Sequence, residues 1–336
     1  MRVNKISIII PVYNTAQYLM GCLDSITAAI KRIPDNIQVE IICINDGSTD
    51  NSLAILQKYA AENDIFLIIN QKNTGVSAAR NTGLEKSSGD VIAFIDADDR
   101  IHPRYFEIML RIMNKTNADA VACDNIRIPA EDFVEGWKPA EISETRIVSK
   151  MSHRGVLDTD HLNRYIWGRL YKRELIGENR FDTTLSLGED TAFTLQIICK
   201  KEDLDFRYVK EVLYFYCQRD DSTVKNLDHS LVADCTRNVY LPHYEEFGKC
   251  KSIILEQAIR SLLLERYTDF IISKTDMLTE YQALLKACMI HLTDLPVGKR
   301  IIYRAFITFP ATYRAFRILN DPSMLKMEKK LKALAK

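Results

Sequence analysis

The first 125 residues alternate short apolar runs with segments of helical periodicity, and this alternation restricts the fold more than any other feature. The apolar runs cover residues 6–12, 39–45, 65–70, 90–96 and 118–124, with helical spacing at 16–31, around 53–59, 76–87 and 103–115. The runs are continuously apolar, which is typical of parallel strands buried on both faces. The sequence therefore predicts an α/β fold with an open, mostly parallel sheet flanked by helices.

Polar residues follow each of the first four predicted strands. They are Asn14 and the segments 45–50, 73–75 and 96–99. Because the carboxyl ends of parallel strands meet at one edge, these segments are expected to lie close together. A solvated loop explains any one of them, but the four together favour a ligand crevice.

The segment after the fourth strand carries three carboxylates, Asp96, Asp98 and Asp99. Hard divalent cations such as Mg²⁺ or Mn²⁺ prefer carboxylate oxygens and are often shared with a diphosphate. The segment therefore suits a cation and its anionic ligand. The alternative is an Asp-rich turn that caps the following helix.

Two further rim residues have both a functional and a structural interpretation. Ser48, Thr49 or Asp50 can cap the next helix, which leaves Asp46 without a capping role and able to accept an N–H from a base. Arg80 lies among small residues and suits contact with phosphate oxygens. Its alternative is an ion pair with one of the rim aspartates.

Charge is balanced over the whole chain but not along it. There are 45 basic and 45 acidic residues, which argues against a nucleic-acid partner. Residues 298–336 hold ten basic and two acidic residues, a net charge of +8. An apolar stripe runs through this tail, formed by Ile302, Phe306, Phe309, Tyr313 and Phe316. This pattern predicts an amphipathic segment, interrupted at Pro310, that binds the inner-leaflet membrane surface; the alternative is a helix packed on the body.

The remaining features indicate compartment and class. None of the eight cysteines forms a C-x-x-C pair, and neither a signal-peptide apolar region nor a membrane span is apparent. We therefore expect reduced thiols and a cytoplasmic location, either free or peripheral at the inner membrane. No G-x-G-x-x-G follows the first strand and no Walker A sequence occurs, which argues against dinucleotide and P-loop enzymes. Residues 125–150 are predicted to be irregular and 229–290 mostly helical.

Four ordered motifs resemble the family-two glycosyltransferases of the GT-A fold: "SIIIPVYN", "INDGSTDNS", "NTGVSAARNTGL" and "GDVIAFIDADD". The resemblance covers about residues 5–125. A second block, "IWGRLYKREL", "LGEDTAF" and "YFYCQRDDS", is similar to the acceptor half of bacterial members that build surface polysaccharides. A phosphatase of the haloacid-dehalogenase type would instead carry its Asp-x-Asp pair after the first strand.

The resemblance implies a domain plan and a set of roles. A GT-A domain would cover 1–225, with a nucleotide-sugar half (1–125) and an acceptor half (126–225), followed by a helical extension (226–297) and the basic tail (298–336). Roles carried over are base contact by Pro11, Val12 and Tyr13, base reading by Asp46, a nucleoside contact by Asp96, metal binding by Asp98 and general-base catalysis by Asp190. The metal would be Mn²⁺ or Mg²⁺.

The implied reaction moves a sugar, with inversion, from a nucleotide sugar, commonly a UDP-sugar, to a hydroxyl of a saccharide or lipid-linked acceptor. Products would be lipopolysaccharide, O-antigen, capsule or exopolysaccharide. Glu189 and Asp190 are adjacent and so are not expected to face one pocket on a helix. Trp167, Glu189 and Arg219 are candidate acceptor contacts; core packing for Trp167, and an ion pair with Asp220 or Asp221 for Arg219, are the alternatives. A catalytically inactive sugar-nucleotide-binding scaffold is the alternative function.

Overall fold

A computed structural model describes residues 3–133, 139–140, 148–158, 165–219, 231–271 and 278–320. The chain forms two compact units, Met1–Asn226 and Leu227–Lys336. Each unit has its own hydrophobic core. The candidate rim residues all belong to the first unit, which is therefore considered first.

The first unit begins with the alternation that the sequence predicts. Its elements are β1 (Lys5–Val12), α1 (Ala16–Ile30), β2 (Gln38–Asp46), α2 (Ser52–Glu62), β3 (Phe66–Gln71), α3 (Val76–Lys86), β4 (Val91–Phe94), β5 (Arg100–Ile101), α4 (Tyr105–Thr116) and β6 (Ala120–Pro129). The second half contains β7 (Val148–Met151), α5 (His153–Asp158), β8 (Arg169–Lys172), α6 (Arg173–Ile176), α7 (Glu189–Lys200) and β9 (Phe206–Gln218).

These strands form one sheet in the order β3-β2-β1-β4-β8-β6-β9-β5, with β7 paired to β9. Strands β1, β2, β3, β4, β6 and β9 run in one direction, whereas β5, β7 and β8 run against their neighbours. The predicted open, mostly parallel sheet is confirmed. Val12 of β1 lies opposite Asn45 of β2, and Asn45 lies opposite Asn70 of β3, so these strands end at one rim.

Both faces of the sheet are buried, which explains why its strands are continuously apolar. On β1, Ile8 and Ile10 pack in one cluster with α1 and α4, while Ile9 faces a second cluster that includes Phe193 of α7. Alternate side chains of a strand point to opposite faces, so two helical layers require apolar residues at every position. The layered core holds the strand ends rigidly at the rim.

The region 125–150 is more regular than the sequence predicts. Residues 120–129 of β6 pair in parallel with β9, with a register shift between Cys123 and Asn125. A short 3₁₀ turn, Ala130–Asp132, follows. The polar and Pro-containing composition indicated a loop, but strand pairing with a distant segment supplies the backbone hydrogen bonds. Residues 134–138 and 141–147 lie outside the described part of the chain.

The second unit is helical, as predicted. It contains α8 (Leu231–Cys235), a π turn (Thr236–Tyr240), a 3₁₀ segment (Tyr244–Cys250), α9 (Lys251–Ile271), α10 (Leu278–Cys288), a 3₁₀ segment (Met289–Asp294), α11 (Val297–Thr308) and α12 (Pro310–Asn320). The predicted interruption of the tail is confirmed, because α12 starts at Pro310. Within the described residues, no helix has the length and apolar character needed to span a bilayer.

The predicted apolar stripe of the tail divides between core and surface. Phe306 and Tyr313 are buried in the core of the second unit, whereas Ile302, Phe309 and Phe316 remain exposed. The packed-helix interpretation therefore holds for part of the stripe. Residues 321–336 of the tail lie outside the described residues.

Candidate active site

The loops that follow β1 and β2 are tied together at the rim. Asn14 adopts a left-handed conformation and its side-chain oxygen accepts the Thr49 N–H at 2.8 Å. The Asp50 carboxylate accepts N–H groups from Ala16 and Ser52, both at 2.9 Å, and thus joins the starts of α1 and α2. These hydrogen bonds lower the pKa of Asp50 despite its partial burial. Asp50 caps the helix as the sequence predicts.

Asp46, at the end of β2, has a structural role that the sequence analysis did not give it. Its carboxylate accepts the Thr74 N–H at 3.0 Å, the Gly75 N–H at 2.9 Å and the Gln71 amide at 2.8 Å. The prediction that Asp46 lacks a capping role is therefore wrong. Asp46 accepts N–H groups at the start of α3, the helix that follows the neighbouring strand β3, and not at the start of α2, the helix that follows its own strand. Gln71, which sequence reasoning missed, is itself a polar residue at a strand end.

Arg80, on α3, is the hub of the site. Its guanidinium donates to Asp190 at 2.8 Å and to Glu189 at 3.4 Å through Nη1, and to Asp96 at 3.0 Å through Nη2. The residue is 3% exposed. The ion-pair interpretation of Arg80 is thus the one that the contacts favour. A single buried cation joins the strand-end carboxylate Asp96 to the first turn of α7.

Glu189 and Asp190 share one partner, contrary to the expectation that adjacent helical residues face apart. They occupy the first turn of α7, where Arg80 lies against the helix start and a flexible glutamate reaches it as well. Burial, partly offset by Arg80 and reinforced by Glu189 and Asp96, raises the pKa of Asp190 to about 7. A carboxylate in this state is suited to accept a proton near neutral pH.

Asp98 lies in the turn after β4, and its Oδ2 is 3.1 Å from Nε of Arg219. The alternative partners of Arg219, Asp220 and Asp221, lie outside the described residues. No group of three metal-ligating side chains occurs in the described ranges. One or two carboxylates nevertheless fit a divalent cation whose remaining ligands are diphosphate oxygens and water. The carboxylate oxygens of Asp96 and Asp98 are hard ligands of the kind that such a cation prefers. Asp98 already binds one cationic group, the Arg219 guanidinium, so its surroundings accept positive charge.

The remaining predicted residues lie around this centre or behind it. Val12 is buried, Pro11 is half-buried and Tyr13 is 47% exposed at the rim. Trp167 is 6% exposed and stacks between Tyr165 and Tyr214, with ring centroids 4.6 and 4.5 Å apart. Trp167 is therefore a core residue, as the alternative interpretation held.

The third carboxylate of the rim, Asp99, is turned inward and fully buried. It accepts the Tyr214 hydroxyl at 2.6 Å and the Cys217 N–H at 2.8 Å. Sequence reasoning did not pair Asp99 with Tyr214 because 115 residues separate them. The aromatic run Tyr214, Phe215 and Tyr216 was visible in the sequence, but it does not indicate which rim residue these rings contact.

Comparisons with known proteins identify the family and the fold. The model of glycosyl transferase family 2 matches residues 7–179. Glycosyltransferase GlyG of Streptococcus pneumoniae is 34% identical over 319 residues, which are 92% of this chain and 97% of that protein. Glycosyltransferase GlyA of the same organism is 33% identical over 65% of this chain but is longer, and the chain spans 31% of it.

A solved structure shares the fold. The crystal structure of Staphylococcus aureus TarS 1–349 in complex with UDP-GlcNAc matches with a TM-score of 0.66 and 19% identity, over 87% of this chain and 82% of that one. The family match covers the four rim segments and Arg80 and ends before Glu189 and Asp190. The chain belongs to glycosyl transferase family 2 and is a glycosyltransferase with the GT-A fold.

Proposed function

We propose that the protein transfers a sugar, with inversion, from a UDP-sugar to a hydroxyl of a saccharide or lipid-linked acceptor in bacterial surface-polysaccharide synthesis, with Asp190 as general base. The observation that carries the proposal is the Arg80 hub. It couples Asp96, at the edge where a nucleotide would bind, to Asp190, at a separate helix start. The Arg80 guanidinium thus contacts both the carboxylate on the donor side, Asp96, and the proposed proton acceptor, Asp190.

The chemistry requires a single displacement. The acceptor hydroxyl oxygen forms a bond to the anomeric carbon while the bond from that carbon to the diphosphate oxygen breaks. The hydroxyl proton passes to the Asp190 carboxylate, whose raised pKa makes it a competent base. Arg80, which also contacts Glu189, holds the Asp190 carboxylate through an ion pair of 2.8 Å. No enzyme nucleophile is needed, since attack from the opposite face inverts the anomeric centre.

A divalent cation, Mn²⁺ or Mg²⁺, is proposed at Asp98, with Asp96 beside it on the ribose side. When bound, it would neutralise charge that develops on the leaving diphosphate. Arg219, which contacts Asp98, is positioned to exchange this carboxylate for phosphate oxygens. Asp46, Pro11, Val12 and Tyr13 stay candidates for the base side. Glu189 stays a candidate acceptor contact, whereas the burial and stacking of Trp167 favour its core role.

Donor and acceptor classes rest on relatives. TarS was solved with UDP-GlcNAc, which supports a UDP-sugar donor. A poly(ribitol-phosphate) β-glucosyltransferase of Bacillus spizizenii, 27% identical over 79% of this chain, supports an acceptor of the cell-envelope polymer class. A sugar-nucleotide-binding scaffold without turnover is the alternative. Transfer or hydrolysis from UDP-sugars with MnCl₂ would separate the two.

We also propose that the tail contacts an anionic membrane surface. Ile301, Phe309 and Leu319 are 66%, 62% and 81% exposed, beside exposed Arg304 and Arg314. Exposed apolar side chains among basic ones suit the interface of an anionic bilayer. A lipid-linked acceptor at the inner leaflet would be reached from that surface.

The test of the base assignment is the Asp190→Asn variant. With a UDP-sugar that the wild type turns over, transfer is expected to fall by about 10²- to 10⁴-fold while UDP binding is retained. Asp182→Asn is the matched control, because its carboxylate accepts hydrogen bonds from the neighbouring Thr184 and it also replaces one aspartate by asparagine. Near-normal turnover by a folded, UDP-binding Asp190→Asn protein would contradict the assignment.

A further inference from the structure

Asp99 is the rim carboxylate that the proposed reaction does not use. It is fully buried, and both of its oxygens are directed into the protein, one to the Tyr214 hydroxyl and one to the Cys217 N–H. Because the side chain is fully buried and each oxygen accepts a hydrogen bond inside the protein, Asp99 does not face the crevice. Its neighbours Asp96 and Asp98, in contrast, remain partly exposed.

The Tyr214 hydroxyl makes a second contact that gives Asp99 a role. It accepts the main-chain N–H of Asp96 at 3.3 Å while donating to Asp99 at 2.6 Å. The Asp96 carbonyl accepts the Asp99 N–H at 3.1 Å and the Cys22 thiol at 3.5 Å. The segment 96–99 is thereby closed on itself through Tyr214, with Asp98 inside the closed turn.

The tyrosine ring is itself immobilised. It stacks on Trp167, with centroids 4.5 Å apart and planes at 10°, and Trp167 stacks in turn on Tyr165. Tyr214 is 0% exposed. The packed ring leaves the hydroxyl one position, so its hydrogen bonds fix where the 96–99 turn can lie.

We infer that Asp99 and Tyr214 are a positioning pair that holds Asp96 and Asp98 in the geometry that binds a divalent cation together with a diphosphate. The pair touches neither ligand and acts through the backbone of Asp96. The inference rests on the proposed function, since it presumes the metal role of Asp98. It also accounts for the third acid of "DADD" and for the tryptophan of "IWGRLYKREL", which the reaction leaves unexplained.

The experiment measures UDP affinity of the full chain by titration calorimetry, once with MnCl₂ and once with EDTA. The readout is the ratio of the two affinities, which a merely structural role would not change. Tyr214→Phe keeps the stacked ring and removes only the hydroxyl, and is expected to lower the ratio about 5- to 10-fold. Asp99→Asn is expected to act similarly, and the double variant no more strongly than the weaker-binding single variant.

Matched variants separate the possible failures. Tyr105→Phe removes another buried tyrosine hydroxyl, one that donates to the Arg169 carbonyl, and should leave the ratio unchanged. If Asp98→Asn abolishes the Mn²⁺ effect but folded Tyr214→Phe retains it, the positioning pair is refuted and the metal site stands. If the wild type shows no Mn²⁺ effect, or Asp98→Asn retains it, the metal assignment of Asp98 is wrong. The positioning role of Asp99 and Tyr214, which depends on that assignment, is then refuted as well. An equal loss of affinity in MnCl₂ and EDTA would also overturn the inference. Should Asp99→Asn not fold, Tyr214→Phe decides alone.

Discussion

At the scale of single residues, the site depends on how three carboxylates share one guanidinium. Arg80 lowers the pKa of Asp190, whereas burial and the charges of Glu189 and Asp96 raise it. Opposing neighbours of this kind set the proton affinity of a catalytic group near working pH. Each neighbour should therefore move the pH dependence of turnover in a direction known in advance.

The Glu189→Gln variant is expected to shift the acid limb of the profile of kcat/KM to lower pH. Asp190 acts as a base only when deprotonated, so the rate falls about tenfold per pH unit below its pKa. Removing the negative neighbour stabilises the deprotonated form and lowers that pKa. The measurement is a pH–rate profile with a UDP-sugar that the wild type uses.

Arg80→Gln is the opposite-sign counterpart. It removes the cation that lowers the pKa of Asp190, so the acid limb should move to higher pH. Because it leaves three carboxylates facing one another in a buried site, it should also lower the melting temperature, which is measured in parallel. Shifts of the same sign in the two variants would contradict the role of Asp190 as the titrating base.

At the scale of elements, the position of Arg80 depends on how closely its helix, α3, packs against the sheet. A Cβ on Gly83 would lie 2.4 Å from Cγ2 of Ile9 and 3.0 Å from Cδ1 of Ile44. Gly83 therefore belongs where the helix meets β1 and β2. The third motif of the sequence has a glycine at this position because the helix and the sheet leave no space for a side chain.

Gly83→Ala is accordingly expected to destabilise the protein by about 1–3 kcal/mol, despite the better helix propensity of alanine. Gly155→Ala, in α5, is the control. Its nearest neighbour at 3.2 Å is the flexible end of Met151, so the cost should be small. Urea unfolding of the two variants compares them, and equal stabilities would contradict the packing argument.

The elements also show which parts of the fold could be predicted from the sequence. Local periodicity predicted β1 to β4 and their helices, because each needs only its own apolar pattern. The pairing of β8 between β4 and β6, and of β6 with β9, was not predictable, since it joins segments far apart in the chain. The extension of β6 to Pro129 was missed for the same reason.

In the candidate site, likewise, the positions of rim residues could be predicted from the sequence, but their distant partners could not. Strand-end positions predicted the rim residues Asp46, Asp96 and Asp98, because their location follows from the sheet alone. Partners did not follow: Arg80 meets Asp190 across 110 residues, and Asp99 meets Tyr214 across 115. Long-range ion pairs depend on side-chain packing that no local spacing encodes.

At the scale of the whole molecule, the basic tail allows a test of whether the protein binds an anionic membrane surface. In the full chain, the double substitution Ile301→Ser with Phe309→Ser should weaken binding to phosphatidylglycerol vesicles at least about tenfold, because two exposed apolar side chains are lost. Leu67→Ser, which removes an exposed apolar residue of β3, should leave it unchanged. Co-sedimentation with vesicles measures both.

The basic charge of the tail predicts how this binding responds to conditions. Binding should fall as salt is raised and should be weak on phosphatidylcholine vesicles, since neutral lipid offers no counter-charge. Equal binding to both lipids, or no effect of the double substitution, would refute a role for the tail at membranes.

The Arg80 hub has one more consequence, which concerns linkage between donor and proton. When no divalent cation is present to neutralise it, a diphosphate that settles near Asp96 adds negative charge close to the same guanidinium, so it raises the pKa of Asp190 and promotes proton uptake. By reciprocity, donor affinity increases as pH falls through the range in which Asp190 titrates. Donor affinity measured in EDTA and turnover should therefore respond to pH in opposite directions, because both depend on the charges around the buried Arg80.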